Sequence, residues 1–187
     1  KGKQFDFWRD THIRVQGEAV NELNKRFILD WDYASEGELK SYEKYFNKQK
    51  SYGDVGIQII SSGPDHKEEY IKNAYMKIIN NAKKNVYIQT PYLVPDEPMK
   101  EALRIAALSG VDVRLMVPGK PDHFFMEWIL SANIGELIEC GVKIYRYQKG
   151  FIHSKTMVAD GKVCSIGTAN LDIRSFQLNF EINAFIF

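Results

Sequence analysis

Apolar runs of strand length alternate with amphipathic runs of helix length from Gly56 onward, and this alternation limits the folds open to the chain. The predicted strands cover 57–60, 86–89, 111–117, 142–147, 152–158, 162–166 and 180–187. The predicted helices cover 67–84, 96–109 and 124–139. The Asp160-Gly161 pair predicts a hairpin turn. Together these patterns predict an α/β domain in which a mixed β-sheet is flanked by helices.

The composition is that of an ordinary globular protein, and it excludes several functional classes. With 44% hydrophobic and 26% charged residues among 187, the chain is neither disordered, collagenous nor a coiled coil. A formal net charge of +1 counts against a dedicated nucleic-acid binder, so we expect no nucleic-acid partner. No apolar run approaches 18 residues, so this stretch of sequence predicts no transmembrane helix. The two cysteines and four histidines show no metal-ligand spacing, and we expect no metal and no cofactor.

The first fifty residues do not fit the alternating pattern. They predict a strand over Asp6 to Val15, a helix over Val20 to Asp30, and a polar linker over 34–54. The chain starts without Met and stops within an apolar strand, and from this we expect sequence on both sides. An acid stands two residues before a His or Asn in both 7–13 and 178–184, which hints at an internal repeat.

The side chains best suited to catalysis or phosphate binding lie between residues 153 and 170. In a strand, His153 and Lys155 point to the same face, about 7 Å apart. An imidazole can attack phosphorus or transfer a proton, and an ammonium can neutralise phosphate oxygens as charge builds up. After the next strand, Gly167 lets the backbone approach a ligand, Thr168 offers a hydroxyl and Asn170 an amide. These groups suit a phosphate.

Two acids have candidate roles beside these groups. Asp160 precedes Gly161, so it is either a turn former or a catalytic group. Asn179, Glu181 and Asn183 share the polar face of the last predicted strand, where the Glu181 carboxylate can hold a histidine in one tautomer. Asp10 and His12, in the partial repeat, either line the same cleft or belong to a polar strand face.

The pattern His153-x-Lys155-x4-Asp160-x6-Gly167-x2-Asn170 resembles the signature of the phospholipase D superfamily. In that superfamily, an acid at the position of Glu181 bonds the histidine. Thr168 stands where the pattern usually has Ser, and it keeps the hydroxyl. Further stretches resemble the second half of bacterial cardiolipin synthases: WRDTH at 8–12, TPYLVPDE at 90–97, VPGKPD at 117–122 and GFIHSK at 150–155.

The resemblance implies a protein with two repeats and one signature in each. Residues 1–50 are then the tail of a preceding phospholipase D-like repeat plus a linker, and residues 51–187 are a second catalytic repeat that is incomplete at its C-terminal end. The upstream repeat completes the site with a second histidine. Membrane segments outside this stretch place the protein at the cell membrane, with the active domain facing the cytoplasm.

The implied reaction joins two phosphatidylglycerol molecules into cardiolipin through a covalent phosphohistidine, without metal. The resemblance assigns catalytic roles to His153, Lys155, Asp160 and Glu181, and substrate binding to Gly167, Thr168 and Asn170. Two alternatives stay open: a phosphodiesterase or endonuclease of the same superfamily that works as a homodimer, and a non-catalytic interaction or membrane-binding domain.

Overall fold

The computed structural model describes residues 7–48, 50, 52–120, 122 and 126–187. Its helices are α1 (Ala19–Ala34), α2 (Tyr70–Asn81), α3 (Glu97–Leu108), α4 (Met126–Glu139) and α5 (Ile173–Gln177). Its strands are β1 (Trp8–Arg9), β2 (Ile57–Ser62), β3 (Asn85–Gln89), β4 (Leu93–Val94), β5 (Asp112–Pro118), β6 (Lys143–Tyr147), β7 (Phe151–Ile152), β8 (Thr156–Ala159), β9 (Val163–Gly167), β10 (Leu171–Asp172) and β11 (Glu181–Ile186). None of the helices formed by these residues is both long and apolar enough to cross a bilayer.

Seven strands form one mixed sheet in the order β2-β11-β9-β8-β3-β5-β6. Strands β3, β5 and β6 are mutually parallel, whereas the pairs β3–β8, β8–β9, β9–β11 and β11–β2 are antiparallel. The predicted α/β class with a helix-flanked mixed sheet is confirmed. Because β8 is antiparallel to both β3 and β9, the start of β8 meets the ends of β3 and β9 at one edge of the sheet.

The core explains why the helical runs fold where they do. Ile71, Tyr75 and Ile79 recur every four residues on α2 and are all buried. In the sheet, Val113 and Leu115 alternate with half-buried residues of β5, as a strand with one apolar face requires. Helix α3 begins at the Asp96 N-cap, whose carboxylate accepts from the Met99 N–H at 3.1 Å.

The predicted strand over 152–158 is interrupted. The chain forms β7, leaves the ladder over 153–155, and then enters β8. The reason is a change of neighbours, because β7 pairs with β1 while β8 pairs with β3 and β9. His153 and Lys155 therefore lie in the gap between two strands, where their backbone is not held in a continuous ladder.

The N-terminal strap, defined as residues 7–16, is attached to this gap. Strand β1 pairs in parallel with β7, the His153 N–H donates to the Arg9 carbonyl at 2.7 Å, and the Thr11 hydroxyl donates to the Ser154 hydroxyl at 2.9 Å. Gly150 has φ 116°, and a Cβ there would lie 2.1 Å from the Phe7 carbonyl oxygen. Only glycine lets the strap lie this close.

Several predicted boundaries differ from the structure. Most of the strand expected over Asp6 to Val15 is irregular, because only Trp8–Arg9 finds a partner strand; Asp6 lies outside the described residues. Phe124 and Phe125, the expected start of α4, also lie outside them. Helix α5 was not expected, and it begins at Asp172, whose carboxylate accepts from the Ser175 N–H at 2.6 Å.

Candidate active site

A cleft of about 730 Å³ opens where the strap crosses the edge of the sheet. Its polar lining residues include Asp10, His12, His153, Lys155, Thr168 and Asn170. Its apolar lining residues include Ile13, Val15, Val20, Leu23, Ile166 and Ile182. The cleft thus combines groups that suit a phosphate with side chains that suit hydrocarbon. Asp10 and His12 line it, which is the first of the two alternatives that the sequence left open.

His153 is held from two sides. Its Nδ1 lies 3.0 Å from Asp10 Oδ1, and both side chains are about one-third exposed. The Trp8 ring lies over the imidazole, with 5.0 Å between ring centroids. A carboxylate at Nδ1 keeps the proton on that nitrogen and directs the lone pair of Nε2 outward, which is the tautomer that a nucleophile or a general base needs.

Among the described residues, the acid bonded to His153 Nδ1 is Asp10, whereas the sequence pointed to Glu181; a catalytic role for Glu181 stays a prediction. Glu181 Oε1 instead accepts from Asn179 Nδ2 at 3.2 Å, and its charge acts on Lys155. The physical reason is that the strap brings its own carboxylate to Nδ1 across a sequence separation of 143 residues. Sequence spacing within the signature gives no sign of this long-range pair.

Lys155 lies deeper than His153 and carries the main electrostatic feature of the cleft. Burial lowers the pKa of Lys155 to about 8, against the raising effects of the Asp10, Glu181 and Asp172 charges. Its ammonium donates to the His153 carbonyl. A partly desolvated ammonium interacts more strongly with an anion than a fully hydrated one does.

The loop after β9 forms the far side of the cleft. Asn170 Oδ1 is buried and has no hydrogen-bond partner among the described residues, so the amide is one polar group of the cleft with unused bonding capacity. The Thr168 hydroxyl accepts from the Ile182 N–H at 2.9 Å and so links this loop to β11. Substrate binding by Gly167, Thr168 and Asn170 stays a prediction.

A buried polar network beneath the cleft was missed by the sequence interpretation, which placed Asn183 on a polar strand face. Asn183 is buried, donates to the Tyr75 hydroxyl at 2.8 Å and to the Ser165 hydroxyl at 2.9 Å, and accepts from the Ala169 N–H at 3.3 Å. Burial raises the pKa of Tyr75 to about 12, which keeps its hydroxyl neutral. A Cβ on Gly167 would lie 2.2 Å from Asn183 Oδ1, so glycine is required there for packing.

Asp160 does not belong to the cleft. Its carboxylate accepts from the backbone N–H groups of Lys83, Lys84 and Asn85 at 2.8, 2.8 and 3.0 Å, and these bonds lower the pKa of Asp160. Asp160 is seven positions after His153, at the other end of β8, which is about 23 Å along an extended chain. These contacts support the turn-former alternative for Asp160, and a catalytic role for it stays a prediction.

Solved structures of low sequence identity share this fold. Nuc, a phospholipase D family member from Salmonella typhimurium, superposes with a TM-score of 0.58 at 18% identity, over 72% of this chain and 84% of that one. Phosphatidylserine synthase from Haemophilus influenzae gives a TM-score of 0.56 at 16% identity, over 71% of this chain and 35% of that one. The fold is therefore that of the phospholipase D superfamily.

Sequence comparison identifies the family within this superfamily. Residues 75–187 match the family model described as cardiolipin synthase, PLD-like domain, and the chain belongs to this family. It is 59% identical to a cardiolipin synthase of Clostridium perfringens, over all of this chain and 40% of that protein. It is 52% identical to the major cardiolipin synthase of Bacillus subtilis, over 98% of this chain and 38% of that protein. The chain thus spans about 40% of the length of these relatives.

Proposed function

We propose that the protein to which this chain belongs is a membrane-located phosphatidyltransferase that makes cardiolipin from two phosphatidylglycerol molecules through a covalent phosphohistidine. The observation that carries the proposal is the oriented His153–Asp10 pair beside Lys155 in one cleft lined by both polar and apolar side chains. The named relatives are cardiolipin synthases.

The first half-reaction transfers a phosphatidyl group to the enzyme. Nε2 of one histidine attacks phosphorus and forms the P–N bond, while the bond from phosphorus to the glycerol head group breaks. A second histidine donates the proton that makes this glycerol a neutral leaving alcohol. Lys155 and the Asn170 amide stabilise the charge on the phosphoryl oxygens.

The second half-reaction reverses these steps with a different alcohol. The second histidine removes a proton from the head-group hydroxyl of another phosphatidylglycerol. That oxygen attacks phosphorus, and the P–N bond breaks to release cardiolipin. Two phosphatidylglycerol molecules therefore give one cardiolipin and one glycerol. His153 serves as either the nucleophile or the acid–base group.

The second histidine belongs to a preceding repeat, of which residues 1–50 are the tail and linker. The strap supports this arrangement because it contributes Asp10 to a histidine of the 51–187 repeat. If the repeats are related by a two-fold axis, the same exchange places Glu181 against the histidine of the preceding repeat. Glu181 then has the predicted catalytic task, but for the other imidazole.

The experiment is to mix the full-length protein with phosphatidylglycerol labelled in its phosphate and quench within one turnover. A labelled protein that is stable to alkali and labile to acid, as a phosphoramidate is, supports the proposal. Cardiolipin formation without any labelled protein would contradict the covalent step. Phosphatidic acid as the sole product would favour the phosphodiesterase alternative, in which water replaces the second alcohol.

A further inference from the structure

A tryptophan of the strap contacts both members of the His153–Asp10 pair. Trp8 Nε1 donates to Asp10 Oδ2 at 3.2 Å. The Trp8 ring also lies against the His153 imidazole, with 5.0 Å between ring centroids and 42° between ring planes. The phosphoryl-transfer steps described for the proposed function use neither contact, so the task of this side chain needs its own explanation.

The alternation of side chains along a strand explains how Trp8 reaches this place. Trp8 pairs in register with Phe151 in the parallel ladder of β1 and β7. Because side chains two residues apart point to the same face of an extended chain, Asp10 follows Trp8 and His153 follows Phe151 on that face. Two neighbours of the strap therefore meet two neighbours of the adjoining segment.

The core of the protein holds Trp8 in position. Phe151 is fully buried, and its ring centroid lies 4.7 Å from that of Trp8. Tilted aromatic rings at this separation attract each other beyond the burial of their surface. The fixed position of Phe151 thus extends through the indole to a carboxylate and an imidazole that are themselves about one-third exposed.

The Asp10 carboxylate needs such support to act on one nitrogen in one way. His153 Nδ1 lies 3.0 Å from Asp10 Oδ1 and 3.3 Å from Oδ2, so the two oxygens compete for a single N–H. The terminal torsion of an aspartate is broad, and a half-exposed carboxylate held at one oxygen would be free to turn towards water. The indole N–H occupies Oδ2 and leaves Oδ1 as the acceptor for the imidazole.

We propose that Trp8 is a positioning residue that orients the Asp10 carboxylate and the His153 ring, so that Nε2 is presented to phosphorus. This role rests on the proposed function for the reaction that it serves. Trp8 acts through the two groups that it contacts and not through a contact with the substrate. Its removal should therefore lower kcat and leave KM nearly unchanged, because it alters the geometry of the attacking or proton-transferring imidazole.

The kinetic test uses two substitutions in the full-length protein with phosphatidylglycerol as substrate. Trp8→Phe keeps a ring against Phe151 but removes the indole N–H, and it should lower kcat about 5- to 10-fold. Trp8→Leu removes both contacts and should lower kcat about 100-fold, with KM within about threefold of the wild type. The matched control is Trp31→Leu, which removes an exposed tryptophan of α1 and should keep kcat within about twofold. Equal kcat values for Trp8→Leu and Trp31→Leu would overturn the positioning role.

The spectroscopic test follows the His153 tautomer and needs no turnover. In ¹⁵N NMR of the neutral imidazole, assigned with His153→Ala, the wild type should carry its proton on Nδ1. In Trp8→Leu the ratio of the Nδ1–H to the Nε2–H form should fall about fivefold or more, because the carboxylate is no longer fixed. An unchanged ratio in Trp8→Leu contradicts the orientation of His153 by Trp8.

Hydrogen exchange separates positioning from mere attachment of the strap. The His153 backbone N–H donates to the Arg9 carbonyl at 2.7 Å, and its exchange should stay as slow in Trp8→Phe as in the wild type. Fast exchange there would show that Trp8 only fastens the strap, and it would overturn the proposal.

The positioning role and the proposed function fail separately. A tautomer ratio that moves in Trp8→Leu, in a protein that forms no cardiolipin, overturns only the proposed function. Normal cardiolipin formation by the wild type, with kcat and the tautomer ratio unchanged in both Trp8 variants, overturns only the positioning role.

Discussion

The two ends of strand β8 carry residues of the same signature and have different physical tasks. Before the strand, His153 and Lys155 lie in a gap of the strand ladder and line a cleft. Burial removes part of the hydration shell of the Lys155 ammonium. After the strand, Asp160 has a positive φ of 56° and is satisfied by three backbone N–H groups. The Lys155 ammonium is thus partly desolvated beside an open cleft, whereas the Asp160 carboxylate is bonded by three backbone groups at a turn.

The sharpest way to break this comparison is His153→Ala in the full-length protein. Removing a nucleophile or an acid–base imidazole should lower the rate of cardiolipin formation by about 10⁴-fold or more, with little change in the melting temperature. Quantifying labelled cardiolipin beside a thermal melt checks both parts. Transfer within a few-fold of the wild type would remove His153 from the mechanism.

Asp10→Asn should produce the next largest effect. An amide at Nδ1 cannot hold the imidazolium or the required tautomer as a carboxylate does, and a loss of about 10² to 10⁴-fold in kcat is expected. The His153 titration, followed by NMR and assigned with His153→Ala, should move in Asp10→Asn. Glu181→Gln is the matched control, and a larger shift there than in Asp10→Asn would restore the original assignment of Glu181.

The ionisation of Lys155 predicts that kcat/KM falls as the pH rises. Its ammonium is charged below its pKa of about 8, so kcat/KM should fall as the pH rises through about 8. Lys155→Arg keeps its charge in this range, so its rate should drop about 10 to 100-fold at neutral pH and the alkaline limb should disappear. The exposed Lys162→Arg should keep the limb. If the alkaline limb of the pH profile is unchanged in Lys155→Arg, a group other than Lys155 causes it.

At the other end of β8, Asp160→Ala should change stability and not chemistry. Three N–H groups lose their acceptor, so the melting temperature should fall by about 2 to 6 °C while kcat stays within about twofold. Because the pKa of Asp160 is lowered in the folded protein, its stabilisation exists above the unfolded pKa of about 4 and is lost at lower pH. The difference from the wild type should therefore shrink in acid, and a large loss of kcat would return Asp160 to the site.

Local patterns predicted much of the fold, and long-range contacts account for what was missed. The alternation of strands and helices depends on neighbours in sequence, and His153, Lys155 and Asn170 were found because one short segment carries them. The Asp10 contact depends on tertiary packing of a strap with little ladder of its own. One sequence feature pointed to Asp10, because the segments 7–13 and 178–184 both carry an acid at the same position. That feature does not show which histidine the acid contacts. The sequence predicts a polar strand face for Asn183, because asparagine is common on exposed surfaces. Asparagine also occurs in buried hydrogen-bond networks, and sequence alone does not distinguish the two.

The distance in sequence between Asp10 and His153 has a consequence for the order of events during synthesis. The ribosome makes the carboxylate 143 residues before the imidazole, so the pair forms only after β2, β3, β5 and β6, which lie between them in sequence, have been synthesised. A truncated or half-translated chain holds one partner without the other.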